Sequence, residues 1–312
     1  MKTEKIYQGN CIEVLKDFPD ESIDCVVTSP PYWGLRDYNE EEQLGLEETP
    51  EEFVDNLVKV FSEVKRVLKS SGSVWLNLGD SYAMSSMRGK NSEFKGAVNQ
   101  SKQGIVGIDK KIPIGLKPKD LIGIPFRVAF GLQSDGWYLR QDIIWHKPNP
   151  MPESVQDRCT KSHEYIFLLT KSPKYFYDID AIREPFNIGA LKRVNQNIKK
   201  QIGSKRGNGG LKPNGNMKAV GDQEKGANKK SVWKITTKPY KEAHFATFPI
   251  ELPITCIKAG CPKGGIVLDP FFGSGTTGLA AQELHRHWVG IELNPEYIEI
   301  AKRRTSQSNL FV

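Results

Sequence analysis

Toward its C-terminal end the chain passes from an apolar stretch, Gly265-Ile-Val-Leu268, through Asp269-Pro-Phe-Phe-Gly-Ser-Gly-Thr-Thr-Gly278, into a helical pattern from Thr276 to His285. No other feature limits the fold as much. A glycine-rich turn lets the backbone reverse tightly, places a helix N-terminus behind the turn, and allows a ligand to approach. Strand, glycine turn and helix, followed by a second strand (His287 to Ile291) and helix (Pro295 to Arg304), make a repeating β-α unit. Such units build a mostly parallel sheet, and parallel sheets bind ligands at the carboxyl ends of their strands.

The first third alternates in the same way. Lys5-Ile-Tyr-Gln8 reads as a strand, Cys11 to Lys16 as a short helix, and Ser22 to Thr28 as an apolar strand halted by Ser29-Pro-Pro-Tyr32. Two consecutive prolines cannot continue a ladder, so the chain turns there. Thr49, Pro50, Glu51 and Glu52 form a helix start, and Phe53, Leu57, Val60, Phe61, Val64, Val67 and Leu68 recur on one helical face. Gly72 is expected to close a connection before a strand at Val74 to Leu78. A helix near Asp120 to Leu132 and strands at Tyr138 to Trp145 and Glu164 to Thr170 follow. A helix from Pro249 to Lys258 precedes the glycine turn. Residues 81–118 and 183–230 lack periodicity and read as a long mobile loop and an irregular insert.

Apolar residues make up 38% of the 312, enough to bury a core. The apolar runs fall well short of the roughly 20 residues of a membrane span, and no apolar signal segment follows Met1. Five scattered cysteines make no disulfide framework. A reduced, cytoplasmic protein without membrane association is expected. Cys256 and Cys261 lack zinc-finger spacing, so no metal is expected either. The net charge of +7 is unevenly placed: Arg183 to Lys238 carries 14 Lys/Arg against 3 Asp/Glu. Concentrated positive charge suits a polyanion, and a solvated lysine-rich insert is the competing explanation.

Gly273, Gly275 and Gly278 satisfy the dinucleotide pattern G-x-G-x-x-G, and Glu292 ends the next strand where an acid can accept ribose hydroxyls. A nicotinamide- or flavin-dependent oxidoreductase is therefore one reading. Asp269 beside the loop disfavours a pyrophosphate and favours a cationic ligand. Thr28-Ser-Pro-Pro-Tyr32 also stands at a strand end, so both motifs open onto one sheet edge.

With Thr28-Ser-Pro-Pro-Tyr32 and Asp269-Pro-Phe-Phe-Gly-Ser-Gly-Thr276 in this order, the sequence resembles the β class of amino-group DNA methyltransferases that use S-adenosylmethionine. Gly9-Asn-Cys-Ile-Glu-Val-Leu15, His244-Phe-Ala-Thr-Phe-Pro249 and Val289-Gly-Ile-Glu-Leu-Asn-Pro295 extend the resemblance over nearly the whole chain. It implies a Rossmann-like α/β methyltransferase fold with permuted motif order. Residues 1–180 would be the catalytic part, 181–238 a target-recognition insert, and 239–312 the cofactor-binding part.

The resemblance also assigns roles. The Ser29 hydroxyl and Pro30 carbonyl would accept hydrogen bonds from the target amine, with Pro31 stiffening the turn. Tyr32 would stack on a base flipped out of double-stranded DNA. Asp269, Phe271, Gly273, Gly275 and Thr276 would surround the methionine and sulfonium portion of the cofactor. Glu292 would hold the ribose, Asn10 would lie near the adenine, and Thr247 would lie near the amino-acid end. Phe271 or Phe272 could instead be core, as could Trp33. Asn77 to Asp80 and Trp145 to Asn149 end strands that could line the base pocket.

In this family serine before the prolines accompanies N4-cytosine, and aspartate or asparagine accompanies N6-adenine. Ser29 thus implies N4 of cytosine, with N6 of adenine as the alternative. Lys199, Lys200, Lys205 and Arg206 would contact DNA phosphates. A cognate restriction endonuclease acting on the same site without a stable complex is the implied functional partner. A catalytically silent DNA-binding scaffold is a third reading.

Overall fold

The computed structural model describes residues 1–35, 40, 42–83, 112, 115–186, 226–237 and 248–307. Their contacts divide the chain into two units: residues 1–177 with 231–312, and residues 178–230.

The larger unit is built on an eight-stranded sheet. In chain order its elements are β1 (Lys5–Gln8), α1 (Cys11–Lys16), β2 (Ile23–Thr28), α2 (Pro50–Val67), β3 (Leu68–Leu78), α3 (Ile124–Ser134), β4 (Tyr138–His146) and β5 (His163–Thr170). β6 (Val232–Lys234), α4 (Glu251–Gly260), β7 (Ile266–Asp269), α5 (Thr276–Glu283), β8 (His287–Glu292) and α6 (Pro295–Gln307) complete it. The strand order is β1-β8-β7-β2-β3-β5-β4-β6. Among the described residues β5 alone runs against its neighbours, pairing antiparallel with β3 and β4. This is a Rossmann-like α/β sheet, mostly parallel as expected.

Alternation along the central strands divides the core into two faces. Val74, Leu76 and Leu78 of β3 join Phe53, Leu57 and Phe61 of α2 in one buried cluster with Val128 and Leu132 of α3. Trp75 points to the other face, against the end of α4, where a Cβ on Gly260 would come within 2.4 Å of the indole Nε1. α2 begins as the sequence indicates: the Thr49 hydroxyl accepts from Glu52 N at 3.2 Å, and the Glu52 carboxylate accepts from Thr49 N at 3.3 Å.

Three local expectations are corrected. β3 starts at Leu68, directly from α2, and Gly72 lies inside the strand at an irregularity in its pairing with β2. The polar Lys69-Ser-Ser-Gly72 resembles a turn, yet a bulge accommodates it. α3 begins at Ile124 rather than Asp120, because Lys119 and Gly123 take left-handed backbone angles that no helix contains. Val232–Lys234, assigned to the insert by sequence, is a strand beside β4; three residues give too little pattern to be read.

Residues 84–111, most of the segment expected to be a loop, lie outside the described residues. Its flanks meet: Ala83 N donates to Asp120 O at 2.8 Å and Lys119 N to Ala83 O at 2.6 Å. In the smaller unit Glu184 and Ala227 exchange backbone hydrogen bonds of 2.9 and 2.8 Å. Arg183 adds bonds to Gly226 O and to Asn228. The two ends of that insert are thereby clasped together.

Candidate active site

The carboxyl ends of the parallel strands and the amino end of β5 border one cavity of about 1080 Å³. Ser29 to Tyr32 after β2, Asp269 to Ser274 after β7, Glu292 after β8 and Gly9 to Cys11 after β1 all line it. Thr28 and Asp269, 241 residues apart in sequence, bring the two motifs side by side.

A buried carboxyl joins them. Asp269 Oδ1 accepts from Thr28 Oγ1 at 2.6 Å and from Phe271 N at 3.1 Å, and Oδ2 accepts from Thr277 Oγ1 at 2.7 Å. Burial raises its pKa to about 7, against the lowering effect of these bonds. Asp269 thus ties the end of β2 to the glycine loop and to the start of α5. The loop itself is fixed from α6, where Arg304 Nη1 donates to Ser274 O at 2.7 Å and to Thr276 Oγ1 at 3.2 Å. Gly275 stands just before α5 with φ of 82°, and a Cβ there would sit 3.1 Å from Ala301 Cβ. Only glycine meets both conditions.

Glu292 is held by Gly273 N at 2.7 Å on Oε2 and by Asn294 N at 2.9 Å on Oε1. Burial raises its pKa above the usual carboxylate range. A carboxylate has about four acceptor positions, so the side chain can still accept from a ligand hydroxyl. Asn10 caps α1, its Oδ1 accepting from Ile12 N at 2.9 Å, and its loop lines the cavity. Both phenylalanines line the cavity, but Phe272 is 3% exposed and stacked on Trp288 with centroids 5.1 Å apart, while Phe271 is only partly buried. Trp33 is also core, its Nε1 donating to Glu47 O at 3.0 Å. Thr247 and the DNA-contact candidates Lys199, Lys200, Lys205 and Arg206 lie outside the described residues.

The other half of the cavity carries a polar network that the sequence did not reveal. Tyr32 Oη donates to Glu164 Oε2 at 2.8 Å, and Asn77 Nδ2 donates to the same oxygen at 3.1 Å. Glu164 Oε1 is ion-paired with Lys147, whose ammonium also lies 4.3 Å from the Trp145 ring centroid. Ser29 Oγ is 3.4 Å from Tyr32 Oη. The Tyr32 ring lies against Gly79, where a Cβ would come within 2.5 Å of Cε2. Asp80 Oδ1 accepts from Gly123 N and Ile124 N, capping α3, and its carbonyl accepts from Lys161 Nζ at 2.8 Å. Burial lowers the pKa of Lys161, and burial with Lys161 nearby lowers that of His163.

Of the segments suggested as pocket walls, Asn77, Gly79, Asp80, Trp145, Lys147 and Asn149 do line the cavity. Lys161, His163 and Glu164 were missed. The one available signal was an acid directly before the apolar run Tyr165 to Leu169. Cys256 and Cys261 are buried thiols, and burial raises the pKa of Cys261 to about 12. No group of three or more potential metal-ligating side chains occurs among the described residues. Nor is any described helix long and apolar enough to cross a membrane.

The glycine loop and the proline-turn motif share one sheet edge, as the resemblance to the methyltransferase class implies. The DNA methylase family matches residues 23–303, and the chain belongs to that family. Type II methyltransferase M.XycI of Xanthomonas campestris pv. cyanopsidis is 47% identical over 99% of this chain and 90% of its own length. Among solved structures, PvuII DNA methyltransferase (cytosine-N4-specific) superposes with a TM-score of 0.64 at 21% identity, covering 97% of this chain and 86% of that one. A putative DNA modification methylase of Thermus thermophilus, solved with S-adenosyl-L-methionine, gives 0.59 at 24% identity over 97% and 93%.

Proposed function

We propose that this DNA methyltransferase transfers the methyl group of S-adenosylmethionine to N4 of a cytosine flipped out of double-stranded DNA. The observation that carries the proposal is the placement of Ser29 in the same cavity wall as the glycine loop, with Thr28 bonded to Asp269. The cavity suits the cofactor: Glu292 retains acceptor capacity and Phe271 offers an apolar wall. When bound, S-adenosylmethionine supplies an activated methyl on a sulfonium.

The work left to the chain is to hold the amine. An exocyclic amine is a poor nucleophile because its lone pair is delocalised into the ring. Accepting both N–H hydrogens, on Ser29 Oγ and Pro30 O, aims that lone pair at the methyl. Proline serves here because it fixes the backbone and has no N–H to compete. Tyr32, anchored through Oη, presents its ring face for stacking. The product loses its proton readily, so a neutral serine suffices and no strong base is required. Cytosine rather than adenine is supported by the resemblance, since in this family serine at the position of Ser29 accompanies N4-cytosine and aspartate or asparagine accompanies N6-adenine.

The insert, residues 181–238, is proposed as the target-recognition region, with Lys199, Lys200, Lys205 and Arg206 on phosphates. A cognate restriction endonuclease acting on the same site without a stable complex, and a cytoplasmic setting, belong to the same proposal; the relatives it draws on are named Type II methyltransferases.

Nucleoside mass spectrometry of unmethylated DNA, after incubation with the protein and methyl-labelled S-adenosylmethionine, tests the proposal. Labelled N4-methylcytosine is expected. Labelled N6-methyladenine would keep the enzyme class and remove the serine argument. Absence of label from every base would sink the proposal.

A further inference from the structure

The loop from Lys147 to Ser162, between β4 and β5, borders the mouth of the cavity. Prolines at 148, 150 and 152 fix φ at every second position through its first half. Side chains brace it on both sides. Asn149 exchanges two hydrogen bonds with the Thr237 backbone, Nδ2 to O at 3.0 Å and Oδ1 from N at 3.1 Å. Glu153 accepts from Arg158 at 2.6 Å and from Lys161 N at 3.2 Å, and the Arg158 guanidinium lies 3.9 Å from the Tyr82 ring centroid. Between these braces, flanked by Pro150 and Pro152, stands Met151.

Met151 is 84% exposed, more than any other large apolar side chain among the described residues. Leu35, three residues beyond Tyr32, is 48% exposed. These two line the cavity, and the remaining exposed large apolar residues do not. A braced loop that holds an unbranched apolar side chain in water, beside the cavity proposed to receive a base, needs an occupant. DNA provides one. A base that leaves the duplex opens a gap between two base faces and loses its stacking, at a cost of a few kcal/mol. An apolar wedge entering that gap recovers part of the loss. Methionine suits the task, since its flexible, polarizable thioether adapts to aromatic faces of any identity.

We propose that Met151 is the wedge that enters the DNA stack as the target base leaves it, with Leu35 giving a second apolar contact at the same mouth. The proposal rests on the base-flipping reading above. It makes Met151 a substrate contact outside the transfer site, acting on extrusion of the base and leaving S-adenosylmethionine binding alone.

The test compares Met151→Ala, Met151→Leu and wild type on two synthetic duplexes carrying a site that wild-type methylation has mapped. In one the target base is normally paired; in the other it faces an abasic position, so that little stacking or pairing need be broken. Met151→Ala is expected to lose about tenfold or more in kcat/KM on the paired duplex. On the abasic duplex it should come within about twofold of wild type, and Met151→Leu should retain most activity on both. Equal rates for Met151→Ala and wild type on the paired duplex would overturn the wedge, as would an equal loss on both duplexes. A wild-type protein that methylates no DNA would instead overturn the flipping reading beneath it, so the two failures are distinguishable.

Discussion

Tyr32 Oη lies 2.8 Å from Glu164 Oε2, although 132 residues of chain separate them. The carboxylate is in turn paired with Lys147, both side chains being largely withdrawn from water. A residue assigned by sequence to stack on the target base is therefore held at its far end by a charge pair from the neighbouring hairpin.

Replacing Glu164 by Gln removes the charge while preserving the shape. Lys147 is left without its partner in a partly buried setting, which should cost about 1–3 kcal/mol of stability. kcat should fall by about 10- to 100-fold as the charged acceptor of Tyr32 becomes a neutral amide facing Lys147, while KM for S-adenosylmethionine stays within about twofold. Steady-state kinetics combined with urea unfolding would check this. A rise in KM for the cofactor with unchanged kcat would show that Glu164 serves the other half of the cavity.

Gly79→Ala tests the opposite side of the same ring. Its Cβ would stand 2.5 Å from Tyr32 Cε2, so the ring must move. A shift on the order of 1 Å in a positioning group costs about 100-fold in rate. Methyl transfer should fall accordingly, with calorimetry showing normal cofactor binding. Unimpaired transfer would mean that the Tyr32 ring does not position the base.

Thr28→Val should destabilise the protein by about 1–3 kcal/mol, because it strips a buried carboxyl of one donor. Urea unfolding reads the difference. A change below a few tenths of a kcal/mol would show that the Thr28–Asp269 bond contributes little.

Asp269 also imposes a pH dependence. Its folded pKa of about 7 lies above the usual carboxylate value of 3.8, so between these pH values the folded chain holds a proton that the unfolded chain has released. Its contribution to stability therefore declines as pH rises from about 4 through 7, by up to about 1.4 kcal/mol per pH unit. Asp269→Asn lacks this titration. The variant should gain stability relative to wild type between about pH 5 and 8. A difference that stays flat over that range would show that Asp269 ionises as an ordinary exposed acid does.

Salt titration examines the insert. Changing Lys199, Lys200, Lys205 and Arg206 together to Ala should flatten the plot of log affinity against log salt by about 0.9 for each phosphate contact removed. Fluorescence anisotropy with duplex DNA between about 50 and 200 mM salt gives the slope. An unchanged slope would place DNA elsewhere on the protein.

The parts of this molecule legible in its sequence are those whose causes are local. Thr49 and Pro50 announce α2 because capping and a fixed φ act within one turn. Gly273, Gly275 and Asp269 announce the ligand edge because a tight strand-to-helix turn leaves few residue choices. The proline motif could be placed beside the glycine loop because parallel strands end on one edge. Glu164 was hidden for the converse reason. β5 runs antiparallel, so its beginning lies at that edge, and its partners Tyr32, Asn77 and Lys147 come from the turn after β2, from β3 and from the start of the loop after β4. Nothing local to Glu164 records them. The start of β3 was obscured because Lys69 to Gly72 carry the residues of a turn while occupying a bulge.

The pairing of Cys25 with Val267 and of Val26 with Leu268 has a consequence for the spacing of the reactants in the proposed transfer. Strands advance by about 3.3 Å per residue. A slip of one position between β2 and β7 would displace Ser29 from the glycine loop by that amount and turn its side chain to the opposite face. Reacting atoms must begin about 3–3.5 Å apart, so one step is the whole tolerance. The sheet thus acts as a ruler graduated in single residues. Loops on this scaffold can lengthen or be rewritten with the graduation intact, whereas inserting or deleting one residue within either strand would place the two reactants on different marks.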